Sequence, residues 1–346
     1  MDFAAFRQKE YGGVSAGQAG DRGQGREKPG HFLRDFRSLR GENERRRVRG
    51  AVKNIGGQAV IEGVMMKSPF GWTVAVRDQK GEIHIKREVL QRLPAFFRLP
   101  VVRGVVGLAH ALAIGIRAIE FSAGKAYTAE DEKPLSPLAM ISTIAVAVIL
   151  GIGLFIFLPL YLTKLMGLVV SGVSNSSFVF NLTDGIIRVL IFLLYVFAIG
   201  LWRDMRRIFE YHGAEHKVIH AFEAGRDLDV ESVRAFSPHH PRCGTSFLLI
   251  VMVISILLFS FIPQSWPFWG KFLSRLLLIP LIAGISYELL KLSAKGENNS
   301  LVRLMIIPGL LLQKLTTREP DDAQIEVAIR AVREVLLLEE SDAREA

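Results

Sequence analysis

The sequence predicts a mainly α-helical, polytopic membrane protein with about four transmembrane helices, interfacial helices and a small cytoplasmic β element near the N-terminus. Three observations support that class. Half of the 346 residues (50%) are hydrophobic, a high fraction for soluble domains. One run, "LAMISTIAVAVILGIGLFIFLPLYL" (138–162), carries no charge and is longer than the roughly 20 residues a helix needs to cross the hydrocarbon core. Three shorter apolar runs follow at 186–202, 244–262 and 272–290, each long enough to span if flanking side chains reach the headgroups. Arg188 and Arg275, near one end of their runs, are expected to snorkel in that way.

The elements follow in order. Residues 1–54 read as a disordered basic tail, rich in Gly, Arg, Glu and Gln and without the apolar core of a cleavable signal peptide. Its run "RGENERRRVRG" (40–50) suits contact with anionic lipid. It lacks the aromatic interleaving of a nucleic-acid groove, so no nucleic-acid partner is expected. Residues 55–98 form a small β-containing cytoplasmic region: "WTVAVRDQKGEIHIKREV" alternates on both sides of "DQKG", as a hairpin does, and the glycines of "GGQAVIEGVMM" suggest a bulged or closely approached strand. Glu62 there is either an edge charge or a functional group. Residues 99–137 give an interfacial helix and linker, because Arg103, His110, Arg117 and Glu120 make a central crossing costly. Segment 138–202 is the first transmembrane pair, 203–243 a cytoplasmic His/Cys loop and 244–292 the second pair. Segment 293–346 holds an interfacial or re-entrant piece broken at Pro308 and Gly309, then an amphipathic helix. That helix carries Ile325, Ala328, Ile329, Val332 and Leu336 on one face, with Asp321 and Asp322 at its start.

Charge sets the expected orientation. The loop after the second run holds Arg203, Arg206, Arg207, Lys217, Arg226, Arg234 and Arg242, whereas 163–185 offers Lys164 as its one cation before Arg188. Positive charge accumulates on the cytoplasmic side, so the central loop and both termini are expected there, with the lipid bilayer as the main partner. The single cysteine, Cys243, excludes an intrachain disulfide framework and suits a reducing compartment. There is no Gly-rich phosphate loop and no internal repeat of the transporter kind.

The stretch "YHGAEHKVIH" (211–220) holds the chemistry. Residues four apart on a helix share a face about 6 Å apart in height, so adjacent members of His212, His216 and His220 can share a metal but all three can hardly do so. His212, Glu215 and His216 spell H-x-x-E-H, the pattern in which two histidines bind zinc and the glutamate is a general base. The other end of the same loop, "SPHHPRCGTSF" (237–247), brings His239 or His240 and Cys243 into reach, a nitrogen and sulfur set that zinc favours. Arg242 is placed either to lower the thiol's pKa or to hold an anionic substrate. Metal-free chemistry with Cys243 as nucleophile is the alternative, and an interfacial histidine stripe beside a buried thiol is the non-functional one. Glu288, inside an apolar run beside Lys291, is either a snorkelling charge or an extra ligand.

With these residues assembled, the chain resembles the bacterial YqhQ family, a domain of unknown function numbered 1385. The resemblance rests on "GGQAVIEGVMMKSP", "RRIFEYHGAEHKVIHAFEAG", "HPRCGTSFL" and "LTTREPDDAQIEVAIRA" and covers about 55–338. It implies a predicted metal-dependent protein of the bacterial cell membrane without an established reaction. By position it points to His212, Glu215, His216, His240, Arg242 and Cys243, with Gln58 and Glu62 in the N-terminal motif; His220 and His239 fall outside. The expectation is therefore a divalent metal, zinc, on His212, His216, Cys243 and His240, with Glu215 catalytic and a hydrolytic reaction. A non-enzymatic scaffold or assembly factor with a structural metal is the other class of reading.

Overall fold

The computed structural model describes residues 55–90, 94, 99–127, 137–293 and 300–345. The expected basic tail lies outside the described residues. A four-stranded antiparallel meander opens the fold, with β1 Gly56–Val60, β2 Gly63–Lys67, β3 Gly71–Arg77 and β4 Ile83–Val89 in sequential order. β3 and β4 are the expected hairpin, registered from Gly71↔Val89 to Arg77↔Ile83. Its turn is closed by Asp78, whose Oδ1 accepts from the N–H groups of Lys80 and Glu82 at 2.9 and 2.8 Å. "GGQAVIEGVMM" becomes a second hairpin, because Ile61 and Glu62 turn the chain between Val60 and Gly63. Glu62 has a φ of 49° there, a left-handed conformation that a non-glycine residue adopts at a cost.

Both faces of the sheet are covered, which is why six of the seven β3 residues are buried. Trp72, Val74 and Val76 face α1, Val102–Ala126, and pack with its Ile114 and Ala118. On the opposite side Thr73 Oγ1 donates to the Ala331 carbonyl at 2.8 Å. Ala331 belongs to the C-terminal helix, whose expected apolar face is buried at Ile325, Ala328, Ile329, Val332 and Leu336. That helix begins with a reciprocal capping box: Gln324 N–H donates to Asp321 Oδ1 at 2.8 Å, and Asp321 N–H to Gln324 Oε1 at 2.9 Å.

The apolar helices are α2 Pro137–Ile152, continued through a π turn at Gly153–Phe157 into α3 Leu158–Val169, then the short α4 Ser171–Ser174 and α5 Ser177–Ile199. After α6 Arg203–Glu223 and α7 Val230–Arg234 come α8 Gly244–Phe259, α9 Phe268–Ser293, α10 Ser300–Thr316 and the C-terminal helix α11 Asp322–Glu345. Among the described residues, four helices are long and apolar enough to cross a membrane: Val102–Ala126, Ile141–Val169, Ser177–Ile199 and Phe268–Leu292. The number matches expectation but the membership differs. The run at 244–262 yields only a 16-residue helix, whereas α1 enters the set by its length and composition, and two of its charges find partners. Arg103 pairs with Glu288, its Nε 2.6 Å from Oε1, and Arg117 pairs with Glu88 at 3.2 Å.

Two further expectations are corrected. Arg188 and Arg275 do not snorkel; they are 8% and 0% exposed and share Asp184, each at 2.6 Å. The second run is correspondingly longer than its apolar core, because α5 starts at Ser176, whose Oγ caps it, and takes in Asp184. Pro308 and Gly309 lie within the helix α10, and Gly309 packs against Ser246 of α8, where a Cβ would stand 2.8 Å from the serine Cβ.

Deleting a fully buried side chain in the first turn of α11 tests this packing. Ile325→Ala removes fully buried apolar volume between α11 and its neighbours and is expected to destabilise the protein by about 2–5 kcal/mol, read as a lower midpoint in chemical denaturation.

Candidate metal centre

Helix α6 carries the site. Asp204 in its first turn complements the helix dipole. Its end is a Schellman turn, with Gly225 N–H on the Phe222 carbonyl, Arg226 N–H on the Ala221 carbonyl, and Gly225 at a φ of 72°. Such a stop turns the chain back on itself. Residues 237–243 then run over the helix they have just left and meet the N-terminus of α8, where Cys243 is the cap.

The two histidines of H-x-x-E-H are held by backbone carbonyls. His212 Nδ1 lies 2.9 Å from the Thr316 carbonyl oxygen, and His216 Nδ1 lies 2.6 Å from that of Pro238. A carbonyl only accepts, so each Nδ1 carries the proton and each Nε2 presents its lone pair, as in histidines oriented for a metal. His212 Nε2 stands 3.3 Å from Cys243 Sγ. His216 Nε2 is buried with no hydrogen-bond partner among the described residues. The donor atoms of His212, His216 and Cys243 all lie within 4.8 Å of one another. Tetrahedral nitrogen and sulfur ligands on zinc stand about 3.5 Å apart, given bond lengths of about 2.0 and 2.3 Å, so the residues present fit that ion.

Electrostatics agree with this donor set. Burial lowers the His212 pKa below the usual histidine range, and burial with the nearby His212 takes His216 down to about 2. Both rings are neutral and able to ligate. Burial and then the Glu215 charge push the Cys243 thiol up to about 11, against the Thr245 donors that its sulfur accepts. Glu215 is raised to about 8 by burial, opposed by the Gly57 N–H. The close approach expected of the GGQ strand is this one, since a Cβ on Gly57 would come within 2.9 Å of the Glu215 side chain.

The remaining sequence candidates fall elsewhere. His240 is buried beside the trio but outside it: its Nε2 faces Glu223 at 3.3 Å and its Nδ1 accepts from the Arg242 N–H. Arg242 reaches Glu223 at 2.6 Å. His220 is held by the His239 carbonyl at 2.9 Å. Glu288 binds Arg103 and the Val101 N–H near the α1 and α9 contact. Glu62 forms a two-point ion pair with Arg207 at 2.5 Å and accepts from Tyr211 at 3.3 Å, which fixes the strained turn onto α6. Gln58 packs against Gly115 of α1 and lines an open cleft of about 410 Å³ with Gly57, Met65, Lys67, Ala111 and Ile114.

Four contributors escaped sequence reasoning. Gln313 clasps the 237–243 segment, accepting from His240 N–H and donating to the His240 carbonyl at 2.8 and 2.9 Å. Thr316 and Pro238 act through carbonyls, which every residue possesses. Gly213 allows the chain at Arg318 to cross α6 at a distance no Cβ tolerates, and this crossing follows directly from the Thr316 carbonyl on His212. The small residue inside H-x-x-E-H was its only sequence signal. Asp78, Glu82 and His84 also bring ligand atoms together, but Asp78 already binds His84 and its own turn.

These features define a mainly helical membrane protein with a small antiparallel sheet and a His, His, Cys donor cluster. The family model described as "Protein of unknown function (DUF1385)" matches residues 99–338, and the chain belongs to that family. It is 32% identical over 299 residues to the "Uncharacterized protein YqhQ" of Bacillus subtilis (strain 168), an alignment covering 82% of this chain and 92% of that protein. No solved structure matches. The family match begins just ahead of α1, so the sheet lies before it.

The pKa shifts predict the pH dependence of the metal-free protein. His216 falls from 6.5 to about 2, so below pH 6.5 the unfolded chain binds a proton that the native state refuses, and stability drops as pH falls; His212 adds to this loss. Glu215 rises from 4.5 to about 8, so between those values the native state holds a proton that the unfolded chain has lost, and stability drops as pH rises. Thermal stability is expected to peak near pH 6.5. The fall toward pH 8, at most about 1.4 kcal/mol per pH unit, is expected to vanish in Glu215→Gln, as followed by melting in chelator.

Gly213→Ala is expected to move the Thr316 carbonyl off His212. It should destabilise the protein by about 1–3 kcal/mol and weaken metal binding, as measured by calorimetric titration.

Proposed function

We propose that this protein is a membrane-embedded, metal-dependent enzyme, with zinc as its metal and hydrolysis as its reaction class, acting at the cytoplasmic membrane face. The observation that supports this most directly is the unpartnered Nε2 of His216 beside His212 Nε2 and Cys243 Sγ. Three protein ligands are the number that catalytic zinc sites keep, leaving one position for water or substrate. Bound zinc supplies a Lewis acid and brings the pKa of its water to about 7. Glu215, on the same helix, titrates at about 8, close to the working pH at which a general base also returns its proton as an acid. Cys243 holds its proton in the metal-free site and gives it up on ligation.

Orientation belongs to the same proposal. The Arg-rich segment around α6 faces the cytoplasm of a bacterial cell, and α1 turns Leu112, Ile116 and Ile119, all exposed, toward lipid. The basic tail adds attraction to anionic headgroups.

A structural metal in a scaffold protein is the second reading. It is favoured by the convergence on one point of α6, the 237–243 segment and the end of α10. Metal analysis after purification is expected to find about one zinc per chain, with Cys243→Ala and His216→Ala each weakening binding at least about tenfold. Absence of stoichiometric metal would sink both readings. Glu215→Gln separates them: retained metal with lost complementation of a deletion strain supports the enzyme, whereas retained metal with full complementation supports the scaffold.

A further inference from the structure

A second polar cluster lies at the other end of the helices, and its charges do not balance. Asp184 of α5 is fully buried and receives Arg188 of its own helix and Arg275 of α9, both at 2.6 Å. Arg188 also donates to Ser255 Oγ of α8 at 3.0 Å, and Arg275 to Asn181 Oδ1 at 2.9 Å. The Phe259 ring lies against both guanidinium groups, 4.8 and 5.2 Å from its centroid. Lys271, one helical turn before Arg275 and 8% exposed, donates to the Gln264 carbonyl at 2.8 Å and stands 4.2 Å from the Phe180 ring.

Among the described residues, Arg188 and Arg275 therefore share one carboxylate, while the nearby buried Lys271 is held by a carbonyl and not by a carboxylate. The aromatic faces and the carboxyl end of α8 offset part of the excess; a helix C-terminus carries only about half a negative charge. A separate observation points the same way. The Nε–H groups of Arg188 and Arg275 are buried and have no acceptor among the described residues. Unmatched positive charge and unmatched donors in an apolar bundle call for a bound acceptor that is itself negative.

We infer that the Asp184, Arg188, Arg275 and Lys271 cluster binds an oxyanion of phosphate type, either the phosphodiester of an anionic lipid headgroup or free inorganic phosphate. The guanidinium fork matches phosphate oxygens, and its Nε–H is the edge donor that such an anion engages. The placement suits lipid: Lys271 is three residues from the start of α9 and Arg275 seven, about 4 and 10 Å along the axis, so the cations descend from the headgroup level into the bundle. Cys243 and Phe259 are separated by the length of α8, about 24 Å, which makes this site distinct from the metal centre and independent of its function.

The test uses the full-length protein in maltoside and phosphate-free buffer. Melting is followed during titration with inorganic phosphate at constant ionic strength. It is followed in parallel in phosphatidylcholine nanodiscs with and without phosphatidylglycerol. Wild type is expected to melt several degrees higher with one of these anions, and the responding arm identifies the source. Arg188→Gln and Lys271→Gln are expected to need at least tenfold more of that anion for the same rise. Basic loops elsewhere respond to phosphatidylglycerol in all variants alike, so the difference between variants carries the result. No rise in wild type with either anion, or an undiminished rise in both variants, overturns the inference. If Arg188→Gln does not fold, Lys271→Gln at the rim decides the outcome by the same measure.

Discussion

Helix α6 buries three consecutive polar residues, and the surrounding architecture meets them with hydrogen-bonding groups from several elements. Glu215, His216 and Lys217 are 5%, 1% and 2% exposed, and each unpaired polar group at such a position costs about 1–3 kcal/mol. The sheet supplies Gly57 to Glu215, the return segment supplies the Pro238 carbonyl to His216, and α10 delivers the Thr316 carbonyl to His212. Lys217 is taken by the Arg234 carbonyl and by Glu319 ahead of α11. Elements distant in sequence are thus tied to one helix by hydrogen bonds rather than by apolar area alone. The donor atoms left over, His216 Nε2 foremost, are the ones aimed at the candidate metal position.

The same logic governs the apolar helices. Charges within them are paired across elements: Arg103 with Glu288 between α1 and α9, and Arg275 with Asp184 between α9 and α5. A charge in a membrane segment is stabilised either by reaching water or by meeting an opposite charge, and composition does not distinguish the two. Arg188 and Arg275 illustrate the difference, since their position near the ends of apolar runs suggested extension to the headgroups. Both instead turn inward to Asp184, a residue that a hydropathy reading leaves in a loop.

Sequence by itself determined the helical membrane class, the hairpin around "DQKG", the buried face of α11 and the pairing of His212 and His216 with Cys243. Each rests on local periodicity or on residue chemistry at short spacing, which hydrophobic pattern and helix geometry translate directly into structure. Tertiary structure alone decided that His240 turns to Glu223, that Glu62 and Gln58 fasten the sheet rather than join the trio, and that α5 begins at its Ser176 cap. It also decided the tautomers of the two histidines, because these depend on carbonyl groups at Pro238 and Thr316 brought in from 22 and 104 residues away. A carbonyl has no residue-specific signature. Its contribution exists only once the chain has folded back on itself.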